Sequence, residues 1–294
     1  MAVVIPCWND GAFLAEAIAS VHAQDEPAEL VVVDDGSTDT ATLEELDRLR
    51  GEGIRVVRRE NGGVGAARMT GVAETSAPYV FPLDSDDRIA PGALRPLADA
   101  LDARPGAAAA WGDTRAFGAI NWIFPTWRAL DPWLITYMNR VPVGCLYRRA
   151  ALKDVGGWTL TEGYEDWDMW LALASQGWTG THIGRVHLEY RQHDTPRMLA
   201  RERDRHTQTM RSYRERHPSI FAARRQTARE SLVPLRVRFA FRLIDRIPSI
   251  DEARRHRLHD IALRALVPET RPITDAGRDP GPLQVLVRRL TRRG

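Results

Sequence analysis

Apolar residues alternate between short runs and helical stripes along the first third of the chain. The runs Val3–Ile5, Leu30–Val33, Ile54–Val57, Tyr79–Leu83 and Ala108–Trp111 have the length and bulk of buried strands. Between them Phe13, Ala17, Ile18 and Val21, and then Leu43, Leu46 and Leu49, recur at the spacing of a helix face. The alternation predicts an α/β fold, a Rossmann-like and mostly parallel sheet flanked by helices. Ligands of such sheets gather beyond the carboxyl ends of the strands, so polar residues placed there carry the functional information.

Residues 114–148 are less regular and hold Trp122, Trp127 and Trp133 before a strand-like Val141–Tyr147. A helix follows, with Trp167, Trp170, Leu171 and Ala174 spaced for one buried face. Past residue 195 the chain is arginine-rich and helical in period, punctuated by Pro218, Pro234, Pro248 and Pro268. The division expected is a front domain, 1–195, and a C-terminal helical basic extension, 196–294.

Charge sharpens that division. The net charge is only +2, yet residues 201–294 hold 23 Lys and Arg against 11 Asp and Glu, which leaves the front domain acidic. Cys7 and Cys145 are too few for a disulfide framework and sit in apolar surroundings, so buried free thiols in a reducing cytoplasm are expected. No secretory leader pattern opens the sequence, and no apolar stretch approaches the roughly 18 residues of a bilayer span. Lys153 is the single lysine and is followed by Asp154, which removes a Walker-type loop and makes lysine-dependent kinase and Schiff-base chemistries poor fits.

Four polar segments carry the chemistry. The run Tyr79–Leu83 delivers Asp84, Asp86 and Asp87 to a strand end. Asp84 and Asp86, two apart in extended chain, point the same way and can meet one hard cation that keeps positions open for phosphate oxygens. The same acids also suit a turn that caps the next helix. Leu30–Val33 likewise ends in Asp34 and Asp35, then Gly36 and the capping residues Ser37, Thr38 and Asp39; one of the two acids can accept hydrogen bonds from a base or ribose. Asn61–Arg68 is a glycine-rich loop entering a helix, where small residues admit a ligand to the backbone and Arg68 offers a forked cation for phosphate. Glu162, Glu165, Asp166 and Asp168 crowd the start of the Trp167 helix. A carboxylate there either pairs with the helix dipole or acts as a base, its pKa lowered by the helix end and raised by burial and acidic neighbours.

Taken together, Val4–Asn9, Val33–Asp39, Asn61–Arg68, Leu83–Asp87 and Glu165–Asp168 resemble the family 2 glycosyltransferases, in that family's order, over residues 1–195. The resemblance implies the nucleotide-sugar-binding A-type fold. It also implies metal-dependent, inverting transfer of a single sugar from a nucleoside-diphosphate sugar, a UDP-sugar first, to an acceptor hydroxyl. By the same resemblance Pro6 and Asn9 line the nucleotide pocket, Asp35 pairs with the base, Arg68 lies near the diphosphate and Asp84 near the ribose or sugar. Asp86 then holds Mn²⁺ or Mg²⁺ with His193 as a second ligand, Asp166 is the base, and Glu165 orients the acceptor. Met69 stands where the family commonly has Asn, and the Gln-x-x-Arg-Trp motif of processive synthases is absent, which favours single transfer. The alternatives are a sugar nucleotidyltransferase, disfavoured because no glycine-rich Arg/Lys loop follows the first strand, and an inactive nucleotide-sugar-binding protein.

In the tail, Arg238, Arg242 and Arg246 fall on one stripe beside Leu235, Phe239 and Leu243. The pattern suits a helix lying peripherally on the inner face of an anionic membrane, or one packed on the acidic front domain or on a second copy. Nucleic acid is not expected as a partner, because the tail's few aromatics fit an apolar helix face and no zinc or helix-turn-helix pattern is present. Trp122, Trp127 and Trp133 suit either an acceptor's sugar face or core packing.

Overall fold

The computed structural model describes residues 1–160, 164–193, 199–248, 250–270, 272–274 and 277–278; Glu162 and Gly163 lie outside the described residues. Strands β1 (Ala2–Cys7), β2 (Glu29–Asp34), β3 (Arg55–Arg58) and β4 (Tyr79–Pro82) stand in the order 3-2-1-4 and run parallel. All of β1 and β4 is buried, as strands covered by helices on both faces require. The covering helices include α1 (Leu14–His22), α2 (Thr40–Gly51) and α3 (Val64–Ala73).

Past β4 the sheet becomes mixed through β5 (Arg88–Ile89), β6 (Ala107–Gly118), β7 (Trp122–Phe124), β8 (Leu146–Arg148) and β9 (Thr179–Gln192). β8 inserts antiparallel between β4 and β6, so β6 keeps the direction of β4, and β9 runs parallel to β6. The strand expected at Val141–Tyr147 shrinks to Leu146–Arg148 for two local reasons. Pro142 has no N–H to give a ladder, and the Gly144 carbonyl is 2.6 Å from Nε2 of buried His187. His187 Nδ1 accepts from Gly112 N–H at 3.0 Å, and desolvation pushes the ring down to about 4, so this clamp is neutral. Beyond β7 the sheet gains β10 (Ile273–Thr274) and β11 (Gly277–Arg278).

The remaining helices are α4 (Leu94–Asp102), α5 (Arg149–Val155), α6 (Glu165–Ser175), α7 (Leu199–Arg216), α8 (Pro218–Ala222), α9 (Arg224–Glu230), α10 (Leu235–Asp245) and α11 (Glu252–Leu266). Pro218 opens α8 and Pro234 precedes α10, so two of the tail's prolines act as helix starters. Met210, Tyr213 and Ile220 share a core with Trp167 and Trp170. Trp133, Leu134, Tyr137 and Met138 form a second cluster with Val233, Val237, Phe241 and Leu263. Cys7 and Cys145 are buried free thiols, and burial pushes Cys7 up to about 12. Among the described residues no helix is long and apolar enough to cross a membrane.

One close approach sets the depth of the site. α3 crosses β1 at Gly71, where an added Cβ would stand 2.1 Å from Val4 Cγ1. Gly71→Ala therefore forces helix and strand apart, and should cost about 1–3 kcal/mol in a urea titration; an unchanged midpoint would mean that the helix has room to spare.

Candidate active site

Gly71 lets α3 sit close enough to the sheet for Arg68, one turn earlier, to reach inward with its side chain only 3% exposed. Nη1 donates to Glu165 Oε1 at 2.6 Å, Nη2 donates to Asp84 Oδ1 at 2.8 Å, and Cζ stands 5.7 Å from the ring centre of Trp158. Arg68 is thus engaged by carboxylates at both ends of its fork. In doing so it joins the acid turn after β4 to the first turn of α6, 97 residues away from it in sequence.

That first turn also carries Asp166, which keeps part of its surface open while protein packs densely around it. Asn139 Nδ2 donates to Asp166 Oδ2 at 2.8 Å, and Asn139 Oδ1 accepts from Val141 N–H at 2.9 Å, so the amide is fixed at both ends. Burial first, and then the charge of Glu165, pushes the Asp166 carboxyl up to about 7, against the Trp167 N–H, Arg68 and Asn139. The opposition between helix end and burial is resolved in favour of burial, and the result is a carboxyl group that exchanges its proton near neutral pH. Asp168 has a different task. It takes two bonds of 2.9 Å from Arg216, with His217 Nε2 at 2.7 Å. Burial works against its charge, but these partners outweigh it and hold the carboxyl below its usual range.

Across the bridge, the three acids after β4 divide their roles. Asp87 is buried and accepts Arg191 N–H at 2.9 Å, while Arg191 Nε donates to the Asp86 carbonyl at 2.9 Å. The end of β9 is thereby tied to the acid turn, which sets His193 Nε2 2.7 Å from Asp86 Oδ2. Burial pushes the Asp86 carboxyl up, His193 opposes it, and the charges of Asp84 and Asp10 push the same way as burial. Among the described residues no three His, Cys, Asp or Glu side chains converge as a metal cage. A carboxylate oxygen beside an imidazole nitrogen in an acid-rich corner fits a divalent ion that draws its other ligands from phosphate.

The residues expected at the nucleotide bond to the loops beside them. Asp35 accepts Gly62 N–H at 3.1 Å and Arg59 through Oδ1, and Gly63 N–H at 2.8 Å through Oδ2, which pins the glycine loop. Asp34 is spent likewise on Ser37 N–H at 2.8 Å and Arg58 at 2.7 Å. Asn9, at φ 53°, accepts the N–H groups of Thr38 and Asp39 at 2.8 and 2.9 Å, and Pro6 is buried in β1. Met69 packs over Gly157, where an added Cβ would lie 2.2 Å from its Sδ. Of the three tryptophans, Trp133 is core, Trp127 is partly buried against that cluster, and Trp122 is exposed.

The motifs therefore located Arg68, Asp84, Asp86, Glu165, Asp166 and His193 around one region, but not the partners that hold them. Asn139 sits in the irregular stretch with no pattern to mark it, and Trp158 and Arg191 act only through tertiary contacts.

Comparison with known proteins bears on the family and the fold. The family model for Glycosyl transferase family 2 matches residues 2–156. The succinoglycan biosynthesis protein ExoU of Rhizobium meliloti is 40% identical over 97 residues, 32% of this chain and 28% of that protein. The match thus spans less than a third of that relative. An uncharacterised glycosyltransferase of Mycobacterium bovis is 29% identical over 184 residues, 60% of this chain and 79% of that protein. The structure of S. aureus TarS 1–349 in complex with UDP-GlcNAc superposes with a TM-score of 0.60 at 19% identity, covering 90% of this chain and 72% of TarS 1–349.

Arg68→Ala would leave Asp84 and Glu165 without their shared counter-charge, at a cost of about 3 kcal/mol in urea unfolding. Arg68→Lys keeps the charge but not the fork, and should restore only part of that loss. A wild-type midpoint for Arg68→Ala would mean that the bridge contributes no stability.

Proposed function

The chain belongs to Glycosyl transferase family 2, and on that premise we propose that it moves a single sugar from a UDP-sugar to an acceptor hydroxyl, with inversion at the anomeric carbon. The observation that carries this reading is the Arg68 bridge, which brings the Asp84–Asp86 edge and the Glu165–Asp166 helix end to the two arms of one guanidinium group. The structures of TarS with UDP-GlcNAc and with UDP support the class of donor.

In this reading Asp166 is the general base. Its carboxylate takes the proton of the acceptor hydroxyl while that oxygen bonds to the anomeric carbon. The bond from that carbon to the phosphate oxygen breaks on the opposite face, and the nucleoside diphosphate leaves with the electron pair. Asn139 fixes the orientation of the Asp166 carboxylate, and Glu165, held by Arg68, orients the acceptor. Asp86 and His193 would hold Mn²⁺ or Mg²⁺, and a cation bound there supplies positive charge to a diphosphate leaving group. Asp35 and Asn9 act by fixing the loops around the nucleotide, and Pro6 by closing the floor beneath it.

Because the base works only when deprotonated, kcat/KM should rise with pH through about 7 and then level off. Asp166→Asn should lower kcat by about 10²–10⁴ and flatten that rise while keeping the thermal shift caused by UDP. A variant that transfers at the parental rate would remove Asp166 from the role. The UDP shift should also need Mn²⁺ or Mg²⁺ and shrink in Asp86→Ala and His193→Ala; an equal shift in EDTA would contradict the metal assignment.

A further inference from the structure

Nine large apolar side chains are exposed among the described residues, and five of them fall together on α10 and its ends: Leu232, Leu235, Phe239, Leu243 and Ile247. Leu235 is 75% exposed and Phe239 63%. At about 100° per residue, Leu235, Phe239 and Leu243 form one stripe, and Val237 and Phe241 lie on the opposite side of the helix. Those two are fully buried, and Phe241 packs 5.4 Å from the ring of Trp133 and 5.0 Å from that of Tyr137. The helix is thus docked through one apolar face while a second faces water. Scattered exposed leucines need no explanation, but a contiguous stripe on an anchored helix marks a surface that something covers.

The charges around the stripe indicate what covers it. Arg236, Arg242 and Arg246 are exposed, and among the described residues none of them has a carboxylate partner. Arg238 is turned back to the Ala228 carbonyl. Asp245, the one acid on α10, is taken up by Tyr137 at 3.0 Å and His259 at 3.2 Å. The outward face therefore offers leucine, isoleucine and phenylalanine among three free guanidinium groups, with no free acid on the helix to offset them. Two copies joined face to face would set these arginines against one another, whereas a phospholipid surface offers acyl chains to the stripe and phosphates to the forks.

We propose that α10 seats this protein on an anionic lipid bilayer, lying in the interface with the Leu235–Phe239–Leu243 stripe in the acyl boundary and Arg236, Arg242 and Arg246 at the headgroups. The buried face of the same helix packs on Trp133 and Tyr137, the segment that ends in Asn139, so the seat is mechanically continuous with the residue that orients Asp166. This inference does not depend on the sugar-transfer reading.

The test is flotation of the full chain with vesicles of phosphatidylcholine alone or mixed with phosphatidylglycerol. Binding should appear with the anionic vesicles and weaken as salt is raised. Phe239→Ser with Leu243→Ser, and separately Arg242→Glu with Arg246→Glu, alter only exposed side chains, and each pair should lower partitioning by about tenfold or more. Both variants should keep the wild-type melting temperature and UDP shift. Absence of the chain from the floated fraction, or equal flotation of wild type and both variants, would overturn the proposal. So would a concentration-dependent dimer that Phe239→Ser with Leu243→Ser dissolves while vesicles capture nothing.

Discussion

A guanidinium buried between two carboxylates holds this site together. Removed from water alone, the charge of Arg68 would cost several kcal/mol, and only partners placed at both ends of its fork offset that cost. Asp84 supplies one partner from the sheet edge and Glu165 the other from the start of α6. The pairing fixes more than position. Asp166, next in sequence to Glu165, feels the charge of Glu165 as repulsion added to burial, and Arg68 offsets only part of it. One cluster of ions therefore both aims the candidate base and tunes its affinity for a proton.

The region matched to the family ends at residue 156, before Asp166 and the helix that carries it. Part of what steadies α6 comes from later in the chain. Arg216 and His217 hold Asp168, and the Tyr213 hydroxyl donates to the Tyr164 carbonyl at 2.6 Å. Tyr137, packed on Phe241 and tied to Asp245, steadies the segment that ends in Asn139. The basic tail is thus part of the frame around Asp166, and its excess of arginine serves two ends: Arg216 and Arg224 bond back to Asp168 and to Thr136, while Arg236, Arg242 and Arg246 face out.

Much of this was legible in the sequence because strand ends and turns have local signatures. Buried apolar runs that finish in acids announced β2 and β4, and Gly36, at φ +74° with Asn61 N–H 2.8 Å from where a Cβ would stand, is a turn that only glycine makes. Local signatures do not say which way an acid faces. Asp84, Asp86 and Asp87 look alike in the chain, yet one meets Arg68, one meets His193, and one ties down β9. Nothing in the sequence marks Asp35 as the acceptor of the Gly62 and Gly63 amides. Helical period likewise marked α10, but both of its faces are apolar, and only packing decides that Val237 and Phe241 go in while Leu235 and Phe239 stay out. Asn139 had no signature because its role exists only once Asp166 is beside it.

The central claim is that the acid turn and the start of α6 face one cleft across Arg68. A crystal of the chain grown with UDP and Mn²⁺, with the metal located by anomalous scattering, tests it most directly. The account predicts an anomalous peak bound by Asp86 and His193, with the diphosphate against it and Asp166 across an open gap on the far side of Arg68. A peak elsewhere, or a diphosphate separated from Asp166 by the body of the sheet, would contradict it.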